Sequence, residues 1–79
     1  MNMTIQELRA FCKIHQGNEL IIYKHKSKWR VKLINKGYDN MQITLQSERK
    51  RFREFGCIES VLKECGTLTG KISINIWGE

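Results

Sequence analysis

A chain of 79 residues with 41% hydrophobic and 28% charged side chains has the make-up of one globular domain, 1–79, near the size where a single core is only just sufficient. Fourteen Lys and Arg against eight Asp and Glu leave a formal net charge of +6, and no apolar run approaches the roughly 18 residues that a membrane span needs. So short a chain has little material to wall off a deep catalytic pocket, which favours a binding module over an enzyme. Three cysteines, an odd number, and an N-terminus without the basic-then-apolar pattern of a leader point to a reduced, cytoplasmic protein rather than a disulfide framework.

Thr4-Ile5-Gln6-Glu7 has the form of a capping box. Ile5, Leu8, Phe11, Cys12 and His15 then recur on one helical face, and Gly17 supplies a left-handed stop, so a helix is expected from Ile5 to Gln16. Glu19 to His25 and Trp29 to Asn35 are rich in β-branched and aromatic residues and read as a hairpin. A two-residue loop at Lys26-Ser27 pairs Lys24 with Trp29, Ile22 with Val31 and Leu20 with Leu33. One sheet face then carries Leu20, Ile22, Trp29, Val31 and Leu33, a core. The other carries Tyr23, His25, Lys28, Arg30 and Lys32, with Ile21 as the lone aliphatic. A turn over Lys36 to Asn40 leads to a third strand, Met41 to Gln46.

The stretch from Glu48 to Glu54 reads two ways. Phe52 could extend the helical stripe of Phe55, Ile58, Leu62 and Cys65. Against this, four cations at a helix N-terminus oppose the macrodipole, and an interior Gly56 costs about 1 kcal/mol. A short basic edge strand over Lys50 to Arg53 is the better expectation, with Glu54 opening a helix that stops at Gly66. Lys71 to Trp77, alternating Ile72, Ile74 and Ile76 with polar residues, closes the chain as a strand. The order αβββ(β)αβ predicts an α+β fold: an antiparallel sheet of four or five strands, two helices packed on one face, the other face left to solvent or ligand.

Ten of the fourteen basic residues fall in two stretches, Lys24 to Lys36 and Arg49 to Arg53. Crowded like charges repel, so such blocks imply something negative opposite them. Lys28, Arg30 and Lys32 at alternate positions place three cations along one side of a strand, roughly 7 Å apart, a spacing suited to tracking phosphates. Tyr23 beside Arg30 offers a ring for base stacking, and His25 lies at the same end of the hairpin. Arg49, Lys50, Arg51 and Arg53 form a second cluster whose guanidinium forks suit phosphate. DNA or RNA is the expected partner. An acidic protein surface is the alternative, which would make this an interaction module such as an inhibitor or assembly factor. Lysines that keep an exposed sheet soluble are the bland reading of the same face. Trp77 alternates with Ile76 and so faces away from the core, which makes the C-terminal strand a candidate homodimer contact.

Arg51-Phe52-Arg53-Glu54-Phe55, followed by Ile58, Leu62-Lys63-Glu64-Cys65-Gly66 and Ile72-Ser73-Ile74, resembles a pattern of small plasmid-borne ParC-like partition or replication regulators. The pattern is a basic strand with one aromatic, a helix ending in Leu-basic-x-x-Gly, and a short strand. Phe55, Gly56 and Cys57 stand here where that helix begins with small residues. The resemblance implies an accessory or regulatory protein of a plasmid or mobile element, with no catalytic residues to carry over. The order of helix, three strands and helix is also similar to that of double-stranded-RNA-binding domains, with Leu8, Phe11 and Cys12 at comparable places. The Gly-rich lysine cluster of that family is absent, and Arg49-Lys50-Arg51 is only approximately placed. That likeness is one of topology.

Other chemistry finds little footing. Cys12 and His15 at i and i+3, with His25, Cys57 and Cys65 scattered, lack the closely spaced ligand pairs of a zinc site. Cys12 lies on a core stripe, where burial blunts a nucleophile. Glu59 and Glu64 offer no paired carboxylates, and Gly37, Gly56, Gly66 and Gly70 form no phosphate loop. No enzyme, cofactor or metal is expected.

Overall fold

A computed structural model describes residues 1–68 and 72–77 of the chain. The capping box forms as the sequence requires. Thr4 Oγ1 accepts from the Glu7 N–H at 3.3 Å, and the Thr4 N–H donates to the Glu7 carboxylate at 2.9 Å. The helix it opens, α1 (Ile5–Ile14), is two residues shorter than expected. The carbonyls of His15 and Gln16 are engaged instead by the side-chain amides of Asn18, at 2.8 Å, and Asn35, at 3.1 Å. Gly17 is left-handed, with φ +81°, and swings the chain into the first long strand.

That strand, β2 (Asn18–His25), pairs antiparallel with β3 (Lys28–Asn35) in the expected register, Leu20 with Leu33, Ile22 with Val31 and Lys24 with Trp29. Lys26 and Ser27 both take left-handed backbone, φ 50° and 62°. This double inversion matches the right-handed twist of the strands it joins, although neither residue is the Asn or Gly that favours it. A 3-10 turn (Lys36–Tyr38) leads to β4 (Met41–Leu45), antiparallel to β3. The second helix, α2 (Ile58–Cys65), precedes β5 (Ile72–Trp77). Lys71, the expected first residue of that strand, lies outside the described residues, as does Gly70.

The sheet is mixed, not antiparallel. Its order is β1-β4-β3-β2-β5, where β1 is the two-residue strand Asn2–Met3, parallel to β4. At the opposite edge β5 runs parallel to β2. The reason is directional. β4 is antiparallel to β3 and therefore points the same way as β2; α2 carries the chain back before β5 starts, so β5 takes the common direction.

The segment between β4 and α2 is neither edge strand nor helix. It touches the sheet through isolated bridges, Gln46 with Phe52 and Trp29 with Phe55. A tight turn separates them from β4, with the Ser47 N–H donating to the Arg51 carbonyl at 2.8 Å and Lys50 at φ 61°. Phe55 reaches the core from this bridge rather than from a helical stripe, and Gly56 stays outside the helix. Val61 is fully buried whereas Leu62 is 41% exposed, so the apolar stripe of α2 is Ile58, Val61 and Cys65.

Leu8 and Cys12 of α1 and Val61 and Cys65 of α2 join Leu20, Ile22, Val31, Leu33, Ile43 and Leu45 in one buried cluster. Beside it sits a polar knot. Asn35, wholly buried, donates to Asn18 Oδ1 at 2.7 Å and accepts from the Tyr38 N–H at 3.1 Å. It thereby ties the end of α1, both hairpin strands and the following turn together. Among the described residues no buried side-chain nitrogen or oxygen lacks a partner, as the cost of stranding such groups demands. No helix among them is long and apolar enough to cross a membrane.

Candidate nucleic-acid interface

Alternation along β2 and β3 sends Tyr23, Arg30 and Lys32 to the sheet face opposite the buried cluster, with Tyr23 paired to Arg30 and Ile21 to Lys32. Parallel pairing of β5 with β2 adds Trp77 beside Tyr23 and Asn75 beside Ile21. From the other side β4 contributes Thr44 next to Lys32. Ile21 is only 1% exposed yet stands apart from the core cluster. Lys32 and Asn75 flank it on the neighbouring strands.

Two cations of this face, Lys32 and Arg30, are engaged with rings. The Lys32 ammonium lies 5.5 Å from the ring centroids of both Tyr23 and Trp77. The Arg30 guanidinium sits 4.3 Å over Phe52, and its Nε donates to the Glu54 carboxylate at 3.1 Å. Lys28 and His25 face each other at the exposed hairpin end. Of three cations expected to track phosphates along β3, one therefore already holds an internal carboxylate. A ring against the apolar side of a guanidinium or ammonium leaves the N–H groups at its rim able to donate.

The Arg49 to Arg53 cluster does not form one patch. Lys50, Arg51 and Phe52 line a recess of about 220 Å³ with Asn2, Thr44 and Gln46, which are polar-face residues of β1 and β4 and the residue after β4. Arg49 and Arg53 line a separate cleft of about 380 Å³ beside Thr4, Ile5 and Gln6 at the start of α1. Arg53 also stacks on the core residue Phe55, with its guanidinium 4.7 Å from the ring. The turn at Lys50 is what divides them: left-handed backbone there breaks the alternation that would have put neighbours on one side.

Two aromatic residues of this face escaped the sequence reading as site members. Phe52, between Arg51 and Arg53, and Trp77, at the far end of the chain, are each 52% exposed. For Trp77 the alternation with Ile76 did indicate the face; what sequence could not indicate was that β5 lies against β2. Lys24, by contrast, belongs to the core side and its ammonium lies 5.6 Å over Trp29.

The thiols are poor nucleophiles where they are buried. Burial, and secondarily the charge of Glu64, pushes Cys65 up to about 11, and burial raises Cys12. Cys57 is exposed and caps nothing through its side chain at the start of α2, its sulfur lying 3.1 Å from the Ser60 hydroxyl.

No family model, curated protein or solved structure matches this chain.

Proposed function

We propose that the protein is a non-enzymatic, cytoplasmic nucleic-acid-binding accessory or regulatory protein, of the kind a plasmid or mobile element carries, and that it binds through the polar sheet face. The observation that carries the reading is the grouping of Tyr23, His25, Lys28, Arg30 and Lys32 with Lys50 and Arg51 on the side away from the core. In this reading both helices lie over the other face, supported by the presence of Leu8, Cys12, Val61 and Cys65 in the cluster with one parity of sheet residues. Arg49 and Arg53 are then secondary contacts at the sheet margin. The plasmid context rests on the resemblance in the second half of the chain to ParC-like regulators.

Titrating DNA and RNA oligonucleotides at 50, 100 and 200 mM salt tests the reading. Affinity is expected to fall with salt, with a log–log slope of about −0.7 to −0.9 per phosphate neutralised. Absence of binding near 50 mM salt refutes it. An acidic protein surface is the alternative partner if nucleic acid fails; the internal Arg30–Glu54 pair, at 3.1 Å, illustrates the carboxylate contact such a partner would make.

A separate feature supports self-association. β5 is an outer strand without a charged residue, and Ile74 and Ile76 on it are each 50% exposed. On an uncharged edge of this length two copies of charge +6 can meet without opposing their cations. Sedimentation is expected to show a dimer that Ile74→Lys with Ile76→Lys converts to monomer. A wild-type monomer at high protein concentration ends that reading.

A further inference from the structure

Aromatic side chains on the polar face are not scattered. Trp77 pairs with Tyr23, Tyr23 pairs with Arg30, and the Arg30 guanidinium covers Phe52, which is bridged to Gln46 just past β4. These residues form a row across the sheet, perpendicular to its strands. At about 4.8 Å between neighbouring strands the three steps of the row span roughly 14 Å. Its two ends, Trp77 and Phe52, keep about half of their surface in water, at 52% exposure each. A cation stands beside the rings at each end, Lys32 by Tyr23 and Trp77, and Arg30 by Phe52.

Phosphate tracking alone has no use for this arrangement. A duplex presents charge and closed base pairs to a flat sheet, and lysines without rings would serve. Half-exposed rings with a cation 4.3 to 5.5 Å away offer what one unpaired nucleotide can use: a π-face for the base, and a positive group for the phosphate beside it. Resting on the nucleic-acid reading above, we propose that the polar face is a stacking platform for single-stranded nucleic acid. At least two unpaired bases lie on it, one at Trp77 and Tyr23 and one at Phe52. The strand crosses the sheet rather than following β3, and Lys32 and Arg30 meet its phosphates.

Fluorescence anisotropy with ten-nucleotide probes tests this: single-stranded DNA, single-stranded RNA, the duplex of each, and an abasic strand with the same number of phosphates. Single strands are expected to bind more tightly than duplexes, and removing the bases to weaken binding about ten- to a hundredfold. The DNA and RNA arms decide which sugar is preferred. Phe52→Ala and Trp77→Ala are each expected to weaken base-bearing strands by about the square root of that factor, roughly three- to tenfold, leaving abasic binding and the salt slope unchanged. Trp77→Phe restores most of the loss. The comparison of base-bearing with abasic strands uses wild-type protein and does not depend on a variant folding. Equal affinity for those two strands overturns the stacking platform while the phosphate-binding reading stands. No binding of any probe overturns both.

Discussion

Glu54→Gln separates a binding face from a merely soluble one, because the two readings predict opposite signs. The Glu54 carboxylate holds Arg30 Nε at 3.1 Å, with the two side chains 40% and 19% exposed. If Arg30 meets a phosphate, Glu54 competes for it and repels the incoming charge. A carboxylate about 6 Å from a phosphate, at an effective dielectric of about 60, contributes about 0.9 kcal/mol of repulsion. Its removal should therefore tighten binding roughly fivefold. Freeing Arg30 should also add about one neutralised phosphate, steepening the log–log salt slope by about 0.7 for a single strand. The cost to the fold is that of a partly exposed ion pair, below about 1 kcal/mol. Anisotropy at three salt concentrations, with thermal melts of both proteins, measures all of these. Affinity that falls or stays level in a folded Glu54→Gln protein would show that Arg30 is structural, held for Phe52 and the loop rather than for a ligand.

Three further outcomes follow from the interior and its turns. Asn35→Leu keeps the branched shape in a bulkier side chain but strands the Gln16 carbonyl, Asn18 Oδ1 and the Tyr38 N–H. It should cost about 3 kcal/mol and lower Tm by about 12 to 24 °C, and a melt shifted by less than about 4 °C contradicts the buried knot. Ser27→Gly should stabilise by about 0.5 kcal/mol, since φ 62° strains serine but suits glycine, even after the extra chain entropy of glycine; urea midpoints that fall instead would place the turn elsewhere. Cys65 has its affinity for protons raised on folding, from 9.0 to about 11. The unfolded thiol ionises first, so this stabilising contribution is complete below pH 9 and is lost as pH climbs through 11. The stability difference between wild type and Cys65→Ala, by urea titration from pH 8 to 11, should be flat and then move against wild type; a flat difference throughout would mean the thiol is not buried.

Local patterns carried the hairpin and lost the edges. Tyr23, Arg30 and Lys32 were placed on one face by alternation alone, because a two-residue loop leaves a single register that buries Leu20, Ile22, Val31 and Leu33 together. Nothing local marks Asn2–Met3 as a strand: two residues carry no period, and their pairing with β4 depends on where α1 begins. In α2, apolar residues at both 61 and 62 made two stripes equally consistent with the sequence, and packing chose Val61. Asn18 and Asn35 read as strand-end polar residues. Their burial depends on meeting each other and two carbonyls at the end of α1, contacts 17 and 19 residues apart. Arg49 to Arg53 looked like one cluster because charge is additive along a sequence, whereas a left-handed residue at its centre divides it in space.

The candidate site is more a product of topology than of charge. Had the last strand joined the opposite edge, outside β1 and β4, Trp77 would lie far from Tyr23. Crossing to the β2 edge instead sets the ring against Tyr23 and within 5.5 Å of Lys32. At the other end, the detour after β4 returns Phe52 to Gln46 and under Arg30. Two unrelated connections thus bring an aromatic ring to a hairpin cation. A charged face needs only hydration to be soluble, and exposed Trp and Phe work against that. Engaging Lys32 and Arg30 with rings narrows the directions from which an anion can reach them, and it is this restriction, more than the net charge of +6, that gives the face a geometry a particular ligand could match.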